Sequence, residues 1–342
     1  MNKKLKTVLI VGGALLIVGA ALFGAAALMG ASPVSVFGGG VYLDGSGVHI
    51  GNSGADAPAG GDWSTLGNVY AETGEYTCSD SAEKVDIGWL AGSVTVEPYD
   101  GDTVSLKETL STGGAVEKKD AMGWGIREGV LYIRYCGKAQ QTDLPVKNLT
   151  VLLPRAMAAN LTELELDTTS ADMRVKDIVC RELDFSSTSG SLTASGITAR
   201  SVDTETVSGD VELRGQILQL EADATSGAVR VQTTGKDAAA QAETISGDVE
   251  LTGFARVETG TTGGGVTVES ARITALRADT ISGAVELRLA ADAAFSLEFD
   301  TISGELDCGY ATRQKGGRYV CGAGDAELQV STTSGDLSVN PA

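Results

Sequence analysis

Residues 244–251 read "TISGDVEL" and residues 280–287 read "TISGAVEL", two octapeptides that differ at one position and begin thirty-six residues apart. A peptide that recurs this closely is either a site used twice or the corner of a repeat. Alignment on the glycine of each T-x-S-G turn decides between the two. The marker falls at Gly190, Gly209, Gly227, Gly247, Gly264, Gly283, Gly304 and Gly335, with Ala171 in its place in a first copy, at separations of 19, 19, 18, 20, 17, 19, 21 and 31 residues. A period near 19, broken by one insertion, is the mark of a solenoid.

The columns of the alignment give the architecture. Seven residues before the marker stand Leu164, Leu183, Val202, Leu220, Ala240, Val257, Leu276, Leu297 and Leu328, all apolar. Two and four residues after it stand pairs such as Val211/Leu213, Val249/Leu251, Val266/Val268, Val285/Leu287 and Leu337/Val339, and the position between them is mostly polar. Each copy is therefore a strand, a tight turn and a second strand, with one face inward. A single copy cannot bury its apolar row, whereas stacked copies merge their rows into continuous ladders. The Ser-Gly pair is expected to bend the chain between the two faces, with glycine supplying a backbone conformation that larger residues resist. The expected fold is all-β, a parallel β-solenoid of ~19-residue coils.

Ahead of the repeats, Lys3, Lys4 and Lys6 precede an uncharged apolar run over residues 7–30. In a helix this run is roughly 36 Å long, enough to cross a hydrocarbon core of ~30 Å. Residues 1–30 are thus expected to form a transmembrane anchor, with a cleavable signal peptide ending near Ala25-Ala26-Ala27 as the competing reading. The lysines hold the N-terminus in the cytoplasm, so the bulk of the chain is expected outside the cell, single-pass in the membrane. Residues 31–80, rich in Gly, Ser and Asp, read as a juxtamembrane spacer with at most a short hairpin over 41–50, and residues 81–342 as the solenoid.

Charge and composition exclude several functions. The chain carries 26 Lys+Arg against 45 Asp+Glu, and because residues 1–30 hold three of the bases and no acid, the remainder stands at −22. Such a surface repels phosphate backbones, so no nucleic acid is expected as a partner. The five cysteines follow no C-x-x-C spacing and His49 is the only histidine, which disfavours a zinc site and leaves no Ser/His/Asp set. An enzyme of the polysaccharide-cleaving β-helix kind would need a sugar cleft, and aromatic residues are only 5% of the chain. No cofactor is expected.

Three features remain as candidate sites. Four residues before the marker, Glu205, Asp223, Glu243, Asp279 and Asp300, with Asp167 ahead of them, form a column of acids that a bridging Ca²⁺ could relieve, although a solvent-facing column whose charges splay apart is the plainer reading. The next column, from Thr168 to Thr332, is hydroxyl-rich, and structural Thr beside a turn outweighs ice or glycan binding there. The insertion "CGYATRQKGGRYVC" at 308–321 places Arg313, Lys315 and Arg318 beside Tyr310 and Tyr319 on an acidic molecule. That composition suits a partner contact, and a Cys308–Cys321 bridge around the turn at Gly316-Gly317 would staple it. The alternative is that Cys308 fills its inward column and the loop is a tolerated insertion.

The stretches "GWLAGSVTVEPYDGDTVSL" and "NLTVLLPRAMAANLTELELDTTSADMRV", followed by the run of T-x-SGDVEL coils, resemble the putative-adhesin family of unknown function, related to the head domain of auto-transporter adhesins. The resemblance covers residues 85–339. It implies a parallel β-solenoid at the bacterial cell surface, often linked to envelope-stress systems, with no catalytic residues to carry over. It also implies that residues 85–96, centred on Gly92, belong to the same solenoid. The expectation is a non-enzymatic binding or scaffold module at the cell envelope that contacts a membrane and an envelope protein, peptide or glycan. An envelope-stress sensor ectodomain is the alternative.

Overall fold

In the computed structural model the described residues are 70–136 and 144–342, together with the backbone of three short strands, Val34–Ser35, Val41–Asp44 and Gly47–Ile50. Val41–Asp44 pairs antiparallel with Gly47–Ile50, forming the hairpin expected at 41–50. The anchor expected over 1–30 lies outside the described residues, and no described helix is long and apolar enough to cross a membrane.

The repeat folds into two parallel ladders joined by the T-x-S-G corner. Strands before the corner pair in register, Leu183 with Val202, Val202 with Leu220 and Val257 with Leu276, forming a front sheet. Strands after it, such as Val249 with Val266 and Val266 with Val285, form a back sheet. The inward residues of both sheets are sealed: Leu183, Val202, Val249, Leu287 and Val339 are each 0% exposed. The burial alternation of Ala326–Thr332 and its counterparts follows the period-two pattern that the columns predict.

Every polar residue of "TISGDVEL" except Glu250 serves the corner. The Thr244 hydroxyl donates to the Gly247 carbonyl at 2.7 Å, and in other coils the same hydroxyl accepts the marker N–H instead, Thr206 from Gly209 at 2.9 Å and Thr332 from Gly335 at 2.7 Å. The Ser246 hydroxyl donates to the Thr225 carbonyl one coil back. Asp248 accepts the Gly265 N–H of the following coil at 2.8 Å. Glu250 instead pairs on the surface with Arg230 at 3.1 Å.

Glycine is needed here for a reason that differs from the expected one. Gly92, the markers' counterpart in the 84–99 coil, adopts a left-handed backbone angle, at φ 106°, whereas the markers from Gly190 to Gly335 do not. Instead, a Cβ on Gly247 would lie 1.9 Å from the Gly227 carbonyl oxygen, one on Gly264 2.0 Å from that of Gly247, and one on Gly283 1.7 Å from that of Gly264. Each coil is seated on the backbone of its neighbour with no room for a side chain.

Both ends depart from sequential stacking. Along the axis the coils run 130–154, 84–99, 161–176, then in chain order to 275–289, followed by 326–341 and finally 295–308. Lys84–Tyr99 thus joins the solenoid, as the resemblance implied, but it lies between two later segments. Ala326–Thr332 likewise inserts between Ala275–Thr280 and Phe295–Thr301. Antiparallel strands then close the outermost coils. Val104–Leu110 and Gly123–Arg127 cover one end, with Glu75–Cys78, assigned to the spacer from sequence, added to the sheet edge. Arg318–Cys321 covers the other, followed by Arg313–Lys315. Short charged antiparallel strands of this kind blunt an edge that would otherwise recruit further strands.

The first end is pinned by a buried ion pair. Lys147 Nζ lies 3.0 Å from Glu108 Oε2, both side chains are 0% exposed, and the ammonium also donates to the Asp120 and Tyr135 carbonyls and faces the Trp89 and Tyr135 rings. Glu108 further accepts from the Met122 N–H and the Tyr76 hydroxyl. Desolvation pulls the Lys147 pKa below its usual value, and the nearby Glu108 charge opposes that shift.

Two expectations test this reading by chemical denaturation. Gly264→Ala should cost about 1–3 kcal/mol through forced overpacking. Gly265→Ala next to it, where a Cβ would meet nothing closer than 3.6 Å, should stay within about 0.5 kcal/mol of the parent; equal effects would refute seating by close approach. Lys147→Met should lower stability by about 3–5 kcal/mol, because Glu108 is left buried without its counter-charge.

Candidate functional site

Since the corner motif is committed to the scaffold, chemistry must be sought on the outward columns. The front sheet carries two of them. Six residues before the marker, the register aligns Asp86, Glu165, Asp184, Asp203 and Glu221 on successive coils, followed by Gln241, Glu258, Arg277 and Gln329. Four residues before it stand Gly88, Asp167, Ser186, Glu205, Asp223 and Glu243, then Gly260, Asp279, Ser331 and Asp300. The expected ladder of Glu205, Asp223, Glu243, Asp279 and Asp300 is therefore real as a column but interrupted, by Gly260 before Asp279 and by Ser331 before Asp300.

The closest acid cluster forms elsewhere. Carboxylate oxygens of Asp86, Glu165 and Asp167 lie within 4.8 Å of one another. The chain itself supplies a cation to this group. Arg134 lies across Gly88 and grips Asp86 through both nitrogens, at 2.6 and 2.5 Å, with both side chains 6% exposed. Partial burial and mutual repulsion, opposed by Arg134, push Glu165 up to about 7 and Asp167 up to about 8. Burial and the neighbouring acids likewise raise Asp184 to about 6. None of this was legible from sequence, because Asp86 and Arg134 are 48 residues apart and carry no shared motif.

The hydroxyl column is enclosed except at Thr301, which is exposed on the outermost coil. Thr168, Thr206, Thr244, Thr261, Thr280 and Thr332 are 5–7% exposed and their hydroxyls serve the corner, which settles that column as structural.

The insertion at 308–321 is an end cap. Tyr310 donates to the Leu289 and Ala290 carbonyls and its ring meets Phe295 edge-on at 5.3 Å. Tyr319 pairs with Leu297, and Arg318 bridges Glu298 and Glu327 at 2.9 and 3.2 Å. Arg313 and Lys315 remain on the exposed outer strand. Cys308 and Cys321 are free thiols that face different carbonyls, Tyr310 and Ala293, so the structure does not join them.

A shallow groove of about 590 Å³ crosses the C-terminal half of the front sheet. It opens where the column eight residues before the marker shrinks to Ser201, Ala239 and Ala275, and Gln241, Glu258, Arg277 and Gln329 line its side. Arg256 stands in register between Ala239 and Ala275. The sequence columns held this groove unread, because its signal is a loss of bulk in an outward position.

A pH dependence follows from the raised carboxyls. In the folded state Glu165 and Asp167 keep protons that the unfolded chain, with pKa values near 4, has released, so their contribution to stability is full below about pH 4 and is lost as pH rises toward 8. The melting temperature should therefore be higher at pH 5 than at pH 8. Glu165→Gln with Asp167→Asn should flatten that slope, and an unchanged slope would count against the assignment.

Comparison with known proteins agrees with this geometry. Among solved structures, a putative adhesin from Parabacteroides distasonis ATCC 8503 is similar, at 12% identity and a TM-score of 0.51, over 78% of this chain and 96% of that one. A putative adhesin from Bacteroides fragilis NCTC 9343 matches at 10% identity and TM-score 0.42, over 78% and 95% of the two chains. A putative cell adhesion protein from Clostridium sporogenes ATCC 15579 matches at 11% and 0.24, over 78% and 99%. The first shares the fold. No curated protein sequence matches the chain. The Toastrack DUF4097 family matches residues 138–255 and 253–340, more than half of the sequence, and the chain belongs to that family, a putative-adhesin family of unknown function.

Proposed function

We propose that the chain is a non-enzymatic binding or scaffold module, held at the bacterial cell envelope by an N-terminal membrane segment and facing outward. The observation that carries this reading is the division of labour between columns. Inward and corner positions repeat from coil to coil, whereas outward front-sheet positions change: Glu221, Gln241, Glu258, Arg277 and Gln329 occupy one column in turn. A rigid frame with a variable outer surface suits recognition. Membership of the Toastrack family and the fold shared with a putative adhesin support the same reading. The apolar run over residues 7–30, with its lysines before it, supports the anchor.

Proximity labelling from the solenoid on intact cells, with residues 1–30 retained, should mark wall or surface components. Label confined to cytoplasmic proteins would refute the outward orientation. Label concentrated on membrane signalling proteins would replace the scaffold reading with that of a sensor ectodomain.

A further inference from the structure

We propose that the front-sheet groove is a binding site for a neutral, hydroxyl-rich glycan chain lying along the solenoid axis. This deepens the reading of the chain as a binding module and rests on it.

Three observations lead there. The first is shape. The groove's volume of about 590 Å³ is that of a ligand site, and it opens where Ser201, Ala239 and Ala275 alternate with the longer Gln219 and Arg256 along one column. Coils repeat at ~4.8 Å, close to the length of one pyranose residue, so a linear glycan along the axis meets an equivalent backbone rung at each sugar.

The second is the chemistry of the lining. Gln241, Gln329, Glu258, Arg256 and Arg277 present planar groups with two or three hydrogen-bonding atoms each, the arrangement that brackets pairs of adjacent hydroxyls. Arg256 lines the groove from between two small residues of its column. It donates to the Asp237 carbonyl at 3.0 Å, and its neighbours in register on both sides are alanines. Arg277, by contrast, is engaged by Asp279 at 2.7 Å and by Gln329 at 3.3 Å, which fixes the groove wall.

The third is charge. A polyanion is repelled by a chain of net charge −19 and by Glu221, Glu258 and Glu327 in the groove itself. A polycation meets Arg256 and Arg277 there and finds a far more acidic surface on the N-terminal half of the same sheet, from Asp86 to Asp223. A neutral chain with many hydroxyls is the polymer that neither sign excludes. The lining holds no aromatic residue for a sugar to stack on, so single-site affinity is weak and attachment relies on many copies acting together.

The test is saturation-transfer NMR on the full chain with chitotetraose, cellotetraose and maltotetraose at millimolar concentration, and with tetra-arginine and tetra-glutamate as peptide controls. Transfer to at least one sugar is expected. It should vanish in Ala239→Trp, which fills the floor from an outward position, and weaken by about tenfold in Arg256→Ala, where a two-pronged donor is lost. Glu250→Ala on the back sheet should change nothing, and matching melts establish that the variants fold. Transfer to no sugar, transfer only to a peptide, or sugar transfer that survives Ala239→Trp would each overturn the assignment. Retention of isolated envelope fractions separates the two levels. If Ala239→Trp still retains them, the binding module stands and the groove falls. If the parent chain retains neither envelope nor sugar, both fall.

Discussion

The carbonyl oxygen of each corner glycine lies where a side chain on the next coil's glycine would have to be, within 1.7 to 2.0 Å of an added Cβ. This contact sets how closely the coils approach at the corner, and the other contacts depend on that approach. With the coils seated, the Ser hydroxyl reaches the carbonyl one coil back and the Asp carboxylate caps an N–H one coil forward. The Thr hydroxyl then satisfies a corner group that is sealed from water. The apolar rows become continuous only because the corners hold them in register. Alanine at the glycine markers would splay this edge and leave the inner ladders loosely packed; the first copy carries Ala171 there, and its partner in register, Gly92, takes a left-handed backbone.

Close seating has an electrostatic cost that is visible on the front sheet. Identical spacing brings like charges together, and the acids from Asp86 to Asp223 are stacked with few bases among them. The structure manages this in two ways. Where the crowding is greatest it inserts Arg134 from an out-of-sequence coil and lets Glu165 and Asp167 hold protons near neutral pH. Farther along, the column changes chemistry, passing through Gln241 to Arg277, and the groove opens there. The acid face and the groove are thus two outcomes of one constraint, a ladder whose outward residues cannot avoid their neighbours.

The middle of the solenoid was legible in the sequence because stacking makes each coil repeat the same demand at the same position. Nine apolar residues in one column are visible without coordinates, and their burial follows. The ends were not legible. Residues 84–99 and 326–341 pair with segments that are not their chain neighbours, and spacing along the sequence carries no trace of that order. Lys147 with Glu108 and Arg134 with Asp86 are isolated charges in sequence that only the stack brings together. The segment 308–321 stood out by composition, but its tyrosines and Arg318 turned out to fasten a lid on the last coil. The groove was hidden for the opposite reason, since small residues in an outward column look unremarkable.

The interleaved ends bear on how the molecule carries a pulling force. In a simple solenoid, tension on either flank peels the outermost coil away one hydrogen bond at a time, like a zipper. Here, once the edge strand Glu75–Cys78 is passed, tension is taken up by residues 84–99 on one flank and 326–341 on the other, each clamped by parallel strands on both sides. To extract either one, bonds to two neighbours must yield together, in shear along the strands. Beyond that first edge strand, a module pulled from its two flanks would thus meet the load at its best-clasped coils, with the outermost coils left outside the line of force.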